Sequence, residues 1–156
     1  MSKKNIIISL IIVILIAIIL PLSLLPRKSD VNLDDLEKAL LKECSDLNLR
    51  KLERDDIINY FGVTINDDDE LLFLTDFKDE NKPFSPNILI AIVNNRDHRE
   101  YYDVLKSYID MEIANSSDSE RISLYQNAII KESRYYYYLV IGNNKDIIKV
   151  INNYYK

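Results

Sequence analysis

The sequence of 156 residues contains only 2 glycines, one cysteine and one histidine, and each shortage excludes a class of protein. Two glycines cannot supply both a phosphate-binding loop and the turns of a nucleotide-binding fold. One cysteine excludes an internal disulfide framework, and one cysteine with one histidine argues against a zinc site held by this chain. The composition is neither collagen-like nor that of a disordered chain, since 47% of the residues are apolar. A small core-forming domain remains.

Near the N-terminus, residues 6–25 form a run of 20 residues without a charge. A helix of this length crosses a hydrocarbon core of about 30 Å. The alternative is a cleavable signal peptide, because Lys3 and Lys4 precede the run. The exit segment 21–26 lacks the pair of small residues that cleavage requires, and no cysteine for lipid attachment follows directly. We therefore expect an uncleaved transmembrane signal anchor.

Basic residues flank the run on both sides, with Lys3 and Lys4 before it and Arg27 and Lys28 after it. The positive-inside rule is thus nearly balanced, but the short N-terminal tail favours the N-terminus inside. We expect a single-pass protein of the cell membrane, organised in four parts. These are a cytoplasmic tail (1–5), the anchor (6–25), a linker (26–32) and an extracytoplasmic domain (33–156).

Negative charge is concentrated after the anchor. All 25 acidic residues lie beyond Lys28 together with 16 of the 20 Lys and Arg, so residues 29–156 carry a net charge of -9. Nucleic acid and anionic bilayer surfaces repel such a domain. We expect no nucleic-acid partner, and contact with the membrane only through the N-terminal helix.

Apolar residues spaced by three and four predict four helices in this domain. We place them at residues 33–47, 53–61 and 97–114 and after Asn144. Asn32 and Asn144 have the side chains of N-caps, and Gly62 is placed to end the second helix in a left-handed conformation.

Short apolar runs bounded by turn residues predict four strands. They cover residues 71–77, 88–93, 124–131 and 135–141, and the last two are close enough in sequence to form a hairpin. Hairpins separated by a helix predict an α+β fold, with a largely antiparallel sheet of about four strands packed against helices.

Three features invite a chemical interpretation, and each has a structural one that we favour. Cys44 lies on the apolar stripe of the first helix and is interpreted as a small buried hydrophobe. The acidic run 66–70 lacks the alternating ligands and central Gly of a calcium loop, so we interpret it as a solvated turn. His98 has no second His or Cys nearby and is interpreted as a surface residue. We predict no catalytic, cofactor-binding or metal-binding residue, and hence no enzyme.

Four consecutive tyrosines, Tyr135, Tyr136, Tyr137 and Tyr138, point alternately to opposite faces of the last strand. The strands are apolar on both faces, so one side of the sheet either receives another helix or stays exposed. Tyrosine suits a binding surface because it offers a large contact area at low entropic cost. We predict that Tyr135 and Tyr137, or Tyr136 and Tyr138, form a surface for self-association or a protein partner.

Several segments resemble a family of small bacterial envelope proteins that is catalogued only as a domain of unknown function. The similar segments are 60–63 (Tyr-Phe-Gly-Val), the strand 87–93 and 127–130 (Asn-Ala-Ile-Ile), followed by Tyr136, Val140 and Ile141. Members of this family are membrane-anchored or lipidated, so the resemblance implies an envelope protein. It implies no activity.

The expected function is therefore a membrane-tethered, extracytoplasmic, non-catalytic domain for interaction or ligand sensing in a bacterial envelope. The alternative is a small envelope hydrolase or a carbohydrate-binding module that uses tyrosine side chains for stacking.

Overall fold

The structure, a computed structural model, describes residues 31–79, 81–94, 99–133, 136–142 and 144–155. Within these residues it contains five α-helices, one short 3₁₀-helix (Ser45–Leu47) and five strands. The helices are α1 (Leu33–Glu43), α2 (Arg54–Phe61), α3 (Arg99–Asn115), α4 (Ser119–Gln126) and α5 (Lys145–Tyr154). The strands are β1 (Arg50–Lys51), β2 (Glu70–Thr75), β3 (Leu89–Asn94), β4 (Ile129–Glu132) and β5 (Tyr137–Ile141).

The helix ends follow the predicted capping residues. The side-chain oxygen of Asn32 accepts hydrogen bonds from the amides of Asp34 (3.0 Å) and Asp35 (3.2 Å) at the start of α1. Asn144 caps α5 in the same way. Gly62 ends α2 with φ of 68°, in the left-handed region. These three predictions are confirmed.

The prediction of one strand over residues 124–131 is wrong in its first part. Helix α4 continues to Gln126, and β4 begins only at Ile129. The helix forms because the Asp118 carboxylate accepts a hydrogen bond from the Glu120 amide (2.9 Å) at its start and because the Tyr125 side chain packs into the core. Residues 116–118 connect α3 to this helix without helical structure.

The five strands form one antiparallel sheet in the order β1-β2-β3-β5-β4. The predicted α+β class with an antiparallel sheet is thus confirmed, with five strands instead of about four. The additional strand is β1, which has two residues and pairs with the end of β2. In the centre of the sheet, Ala91 lies opposite Phe73 on one side and Leu139 on the other.

Helices cover both faces of the sheet, so each face is a separate core. Helices α2, α3 and α4 pack on one face, and α1 and α5 pack on the other. The first core contains the strand residues Phe73, Leu89, Ala91, Val93, Tyr137, Leu139 and Ile141. The second contains Leu72, Leu74, Ile90, Ile92, Tyr138 and Val140. Strands buried on both faces explain the continuous apolar runs of the sequence.

Among the described residues, no helix is long and apolar enough to cross a membrane. The predicted anchor, residues 6–25, lies outside the described part of the chain, as do Asp97, His98 and Tyr135.

Candidate functional site

A groove of about 350 Å³ opens between α2 and α3 on the surface above the first core. This volume is at the lower end of the range of about 300–1,000 Å³ that small-molecule pockets occupy. The groove is lined by Tyr60, Phe61, Asp103, Val104, Ser107, Tyr108 and Met111. We refer to it as the aromatic groove.

Aromatic rings from three parts of the chain meet at this groove. The rings of Tyr60 and Phe84 are stacked, with centroids 4.1 Å apart and planes at 11°. Phe84 also meets the ring of Phe61 edge-on at 5.5 Å, and Phe61 meets Tyr108 edge-on at 5.2 Å. Each such contact contributes about 0.5–1.5 kcal/mol beyond the area it buries. The aromatic side chains that line the groove are therefore held by contacts with one another and with Phe84, which packs behind them.

Phe84 belongs to the connection between β2 and β3, and Asp76 fixes the end of that connection. One carboxylate oxygen of Asp76 accepts hydrogen bonds from the amides of Asn87 (3.0 Å) and Ile88 (2.8 Å). The second oxygen accepts one from the Asn87 side chain (3.2 Å). These bonds close the loop at its base and so position Phe84 against α2.

Tyr108 links the groove to a buried polar network behind it. Its hydroxyl lies 3.2 Å from the hydroxyl of Tyr125, which donates a hydrogen bond to the backbone carbonyl of Pro86 (3.1 Å). Since Tyr125 has only one proton to give, Tyr108 is the donor between the two rings. Arg121 donates to the Tyr125 hydroxyl (3.1 Å) and to the carboxylate of Glu112. The network ties α3, α4 and the loop before β3 together.

Burial raises the pKa of both tyrosines of this network above the ordinary value of 10.0. For Tyr108 the hydrogen bond to Tyr125 raises the pKa further, while the positive charge of Arg121 lowers it. Both hydroxyls are thus neutral hydrogen-bonding groups at neutral pH. They hold the groove wall in place and are not poised as bases.

The rim of the groove combines an exposed thioether with an exposed carboxylate. Met111 is 52% exposed, the highest value among the large hydrophobic residues of the described chain. Asp103 lies two turns before it on α3, and no ion pair joins its carboxylate to a cation within the described residues. The Ser107 hydroxyl between them donates to the backbone carbonyl of Asp103 (2.7 Å). This hydroxyl is engaged in its own helix.

The lining of the groove thus combines aromatic rings with a thioether and a carboxylate. Within the described residues, no group of three or more His, Cys, Asp and Glu side chains is placed to hold a metal ion. The predicted turn at residues 66–70 is structural: the Asp69 carboxylate accepts hydrogen bonds from the Asn66 amide (2.8 Å) and from the Tyr101 hydroxyl (2.7 Å).

Cys44 lies where its interpretation as a small hydrophobe placed it. It is 2% exposed in the second core. Burial raises the pKa of its thiol, and the nearby carboxylates of Asp146, Asp46 and Glu43 raise it further. The thiol is thus protonated and shielded from solvent.

The four tyrosines of the predicted binding surface are not among the residues that line the aromatic groove. Tyr137 is fully buried in the first core and Tyr138 is 2% exposed in the second. Tyr136 is half-buried, with its ring 4.2 Å from that of Tyr155. Tyr137 and Tyr138 are thus core residues, and association through Tyr135 with Tyr137, or through Tyr136 with Tyr138, stays a prediction.

No pattern in the sequence predicts the aromatic groove. Tyr60 and Phe61 fall at the end of the predicted helix 53–61 and in a segment similar to the family, and Phe84 lies between two predicted strands. A large aromatic residue between Pro83 and Pro86 was the available signal, because an exposed turn has no use for a phenyl ring unless it packs on something.

Comparisons with models of protein families, with curated proteins and with solved structures find no match.

Proposed function

We propose that this chain is a non-catalytic binding domain whose aromatic groove receives a large apolar side chain of a protein partner. The observation that carries the proposal is the combination of a fixed aromatic floor with an exposed methionine at the rim. Methionine adapts its shape to different apolar partners because it is unbranched and polarizable. Aromatic residues are also enriched among those that dominate binding energy at interfaces.

The size of the groove favours a side chain of a larger partner over an extended ligand. A volume of about 350 Å³ accommodates one or two apolar side chains and leaves no room for a long oligosaccharide. A protein partner would supply the rest of its contact area outside the groove, where complementarity matters more than depth.

The charge at the rim favours a partner that has a cation beside its apolar side chain. Asp103 has no ion-pair partner within the described residues, and the neighbouring Asp110 is paired with Lys106 at 3.1 Å. The chain as a whole carries -5. Opposite charge steers encounter and fixes orientation, so the partner segment we propose contains an aromatic or aliphatic residue next to Lys or Arg.

We further propose that residues 6–25 hold this domain at the cytoplasmic membrane, with the domain outside the cytoplasm. The support is the uncharged run of 20 residues and the short basic tail before it. Tethering would confine the groove to partners within reach of the membrane surface.

The methionine content of the chain allows a direct test, because the sequence contains only 2 methionines, Met1 and Met111. The full chain in detergent micelles is labelled with ¹³C at the methionine methyl groups and titrated with N-acetylated, C-amidated Phe-Lys dipeptide. We expect a saturable shift of the Met111 methyl signal at millimolar peptide, and no shift of the Met1 signal in molecules that retain Met1.

Two controls define what the shift means. The Phe-Glu dipeptide should bind at least several-fold more weakly, and Asp103→Asn should remove most of this difference. A Met111 signal that ignores both peptides but responds to an N-acetylglucosamine disaccharide would contradict the proposal and support a carbohydrate-binding module. A signal that responds to none of the three would also contradict it.

A further inference from the structure

Strand β4 lies at one edge of the sheet, and no strand of the described chain pairs with its outer side. Its inner side pairs with β5, with Ile130 opposite Leu139 and Lys131 opposite Tyr138. The other edge of the sheet is β1, which has only two residues. An unpaired edge is a template for another strand unless the protein blocks it.

The hydrogen-bonding pattern of the β4–β5 hairpin shows which backbone groups face this open edge. The Ser133 amide donates to the Tyr136 carbonyl (2.9 Å), which makes these two residues a hydrogen-bonded pair. Such pairs alternate with non-hydrogen-bonded pairs along an antiparallel ladder. The Ile130–Leu139 pair is therefore of the second kind, and the N–H and C=O of Ile130 point away from β5.

The side chain of Ile130 is also exposed at this edge of the sheet. It is 38% exposed, which places it among the few large hydrophobic residues that the described chain leaves at the surface. The outward backbone groups and apolar side chain of Ile130 leave the centre of β4 available for strand pairing. The shortness of β4 and its two charged residues, Lys131 and Glu132, keep such pairing weak.

We propose that two copies of this chain associate through β4, in an antiparallel pair centred on Ile130. The outward-facing residues of β4 are Ile130 and, by the same alternation, Glu132. A two-fold axis between antiparallel strands makes the contact self-complementary. The result is one sheet of ten strands that runs through both copies. This association uses a different surface from the aromatic groove and does not depend on the proposed function.

The charges of β4 select the register. Pairing Ile130 with Glu132 of the second copy brings the two copies of Lys131 directly opposite each other. Pairing Glu132 with itself brings two carboxylates together. Like charges in directly opposed positions are destabilising. When Ile130 of one copy pairs with Ile130 of the other, neither of these like-charge contacts forms. Lys131 then lies opposite Ile129 of the second copy.

The second copy is the favoured occupant because β4 has one Lys and one Glu and is therefore neutral, so two copies approach without local repulsion. The overall charge of -5 acts at longer range and is screened by physiological salt. Because strands of four residues bury little surface, we expect weak association of the detergent-solubilised chain, with a dissociation constant in the high micromolar range or above.

Disulfide cross-linking of the full chain tests this arrangement. In the hydrogen-bonded pair at the axis, the two Cα atoms of residue 130 are about 5.5 Å apart, within the range of about 4.4–6.8 Å that a disulfide spans. Ile130→Cys should form a disulfide-linked dimer under mild oxidation in membranes. The native Cys44 is 2% exposed and does not compete. Ile58→Cys is the matched control, because Ile58 on α2 is 39% exposed.

A second variant tests the register. In the proposed pair, the two copies of residue 131 lie about 8 Å apart by strand geometry, beyond disulfide reach, so Lys131→Cys should cross-link far less than Ile130→Cys. Stronger linking at residue 131 would overturn the proposed register. Linking at residue 130 that does not exceed the Ile58→Cys background would overturn the association itself.

Sedimentation equilibrium in detergent measures how far substitutions of Ile130 weaken the dimer. Ile130→Lys and Ile130→Thr should retain cooperative unfolding, since the side chain lies at the surface. Ile130→Lys should abolish the concentration-dependent dimer, because it puts two lysines at the axis, and Ile130→Thr should weaken it. A dimer that persists unchanged in Ile130→Lys would contradict pairing through β4.

Discussion

Tyr108 shows how one side chain joins the surface of this protein to its interior. Its ring forms part of the groove wall, against Phe61. Its hydroxyl is buried and bonds to the Tyr125 hydroxyl, which Arg121 also contacts. The ring of Tyr125 lies 4.9 Å below the guanidinium of Arg121, in a cation–π contact. A polar network thus fixes a wall that looks apolar from outside.

The raised pKa values of these tyrosines predict a loss of stability in alkali. In the unfolded chain tyrosine ionises near its ordinary pKa of 10.0, whereas burial keeps the folded hydroxyls neutral to higher pH. Their contribution is fully present below about pH 10 and is lost as the pH rises further, because the unfolded chain then binds fewer protons. We expect the free energy of unfolding to fall above about pH 10.

Denaturant titrations of the full chain in detergent, at a series of pH values, measure this fall. Tyr108→Phe should make it shallower by up to about 1.4 kcal/mol per pH unit. A fall of the same steepness in Tyr108→Phe and in the parent chain would contradict the assignment of this proton to Tyr108.

Two glycines, each at the end of a helix or strand, have left-handed backbone conformations. The space around them differs. Gly62 has φ of +68°, and a Cβ added there would meet nothing within 4 Å. Gly142, directly after β5, has φ of +80°, and a Cβ there would lie 2.6 Å from the carbonyl oxygen of Asn87. Only the second glycine is required by close packing as well as by backbone conformation.

This difference predicts that a Gly→Ala substitution lowers the free energy of unfolding by unequal amounts at the two positions. Gly62→Ala should lower the free energy of unfolding by about 1–2 kcal/mol, the cost of a left-handed alanine. Gly142→Ala should lower it by about 2–5 kcal/mol, because the contact with the Asn87 carbonyl adds to that cost. Thermal denaturation of the two variants in parallel gives the comparison, and equal losses would show that the approach of Asn87 relaxes without penalty.

The elements best predicted from the sequence are those whose formation depends on neighbouring residues. The caps at Asn32 and Asn144 and the end at Gly62 depend on neighbouring residues only. Strands β2 and β3 were predicted because runs apolar on both faces lie inside a sheet. Strand β1 was missed because Arg50 and Lys51 have no alternation, and only their pairing with β2 makes them a strand.

Helix α4 and the aromatic groove were missed for a related reason. The stripe of α4 is weak, with only Tyr125 fully buried, and contacts with Glu112 of α3 help to hold it. The groove brings together Tyr60 and Tyr108, and Phe84 packs against both rings; the three residues are far apart in sequence. Their meeting depends on how α2, α3 and the β2–β3 connection pack, and no local pattern contains that information.

At the scale of the whole molecule, helices on both faces of the sheet leave little apolar surface among the residues that the structure describes. The exposed large hydrophobic residues of the described part are Leu41, Ile58, Met111, Ile130 and Tyr154. Because these residues are so few, the groove and the β4 edge stand out from the charged surface around them.

The anchor proposal predicts that the N-terminal run persists in the mature protein. Intact-mass measurement of protein extracted from membranes should give 18.3 kDa for the whole chain, apart from removal of the initiator methionine. A soluble form that begins near Ser29 would contradict an uncleaved anchor.

The central claim is that the aromatic groove binds an apolar segment flanked by a cation. Photo-cross-linking through methionine tests this claim most directly. A diazirine analogue of methionine enters this chain only at Met1 and Met111, so irradiation of native cells samples the groove itself. We expect position 111 to link to an apolar residue that lies within a few residues of Lys or Arg in one partner, as mapped by mass spectrometry. Met111→Leu should remove this link, and Asp103→Asn should reduce its yield several-fold. Links from position 111 that map to acidic segments, or to many unrelated proteins without an apolar residue at the site, would contradict the account.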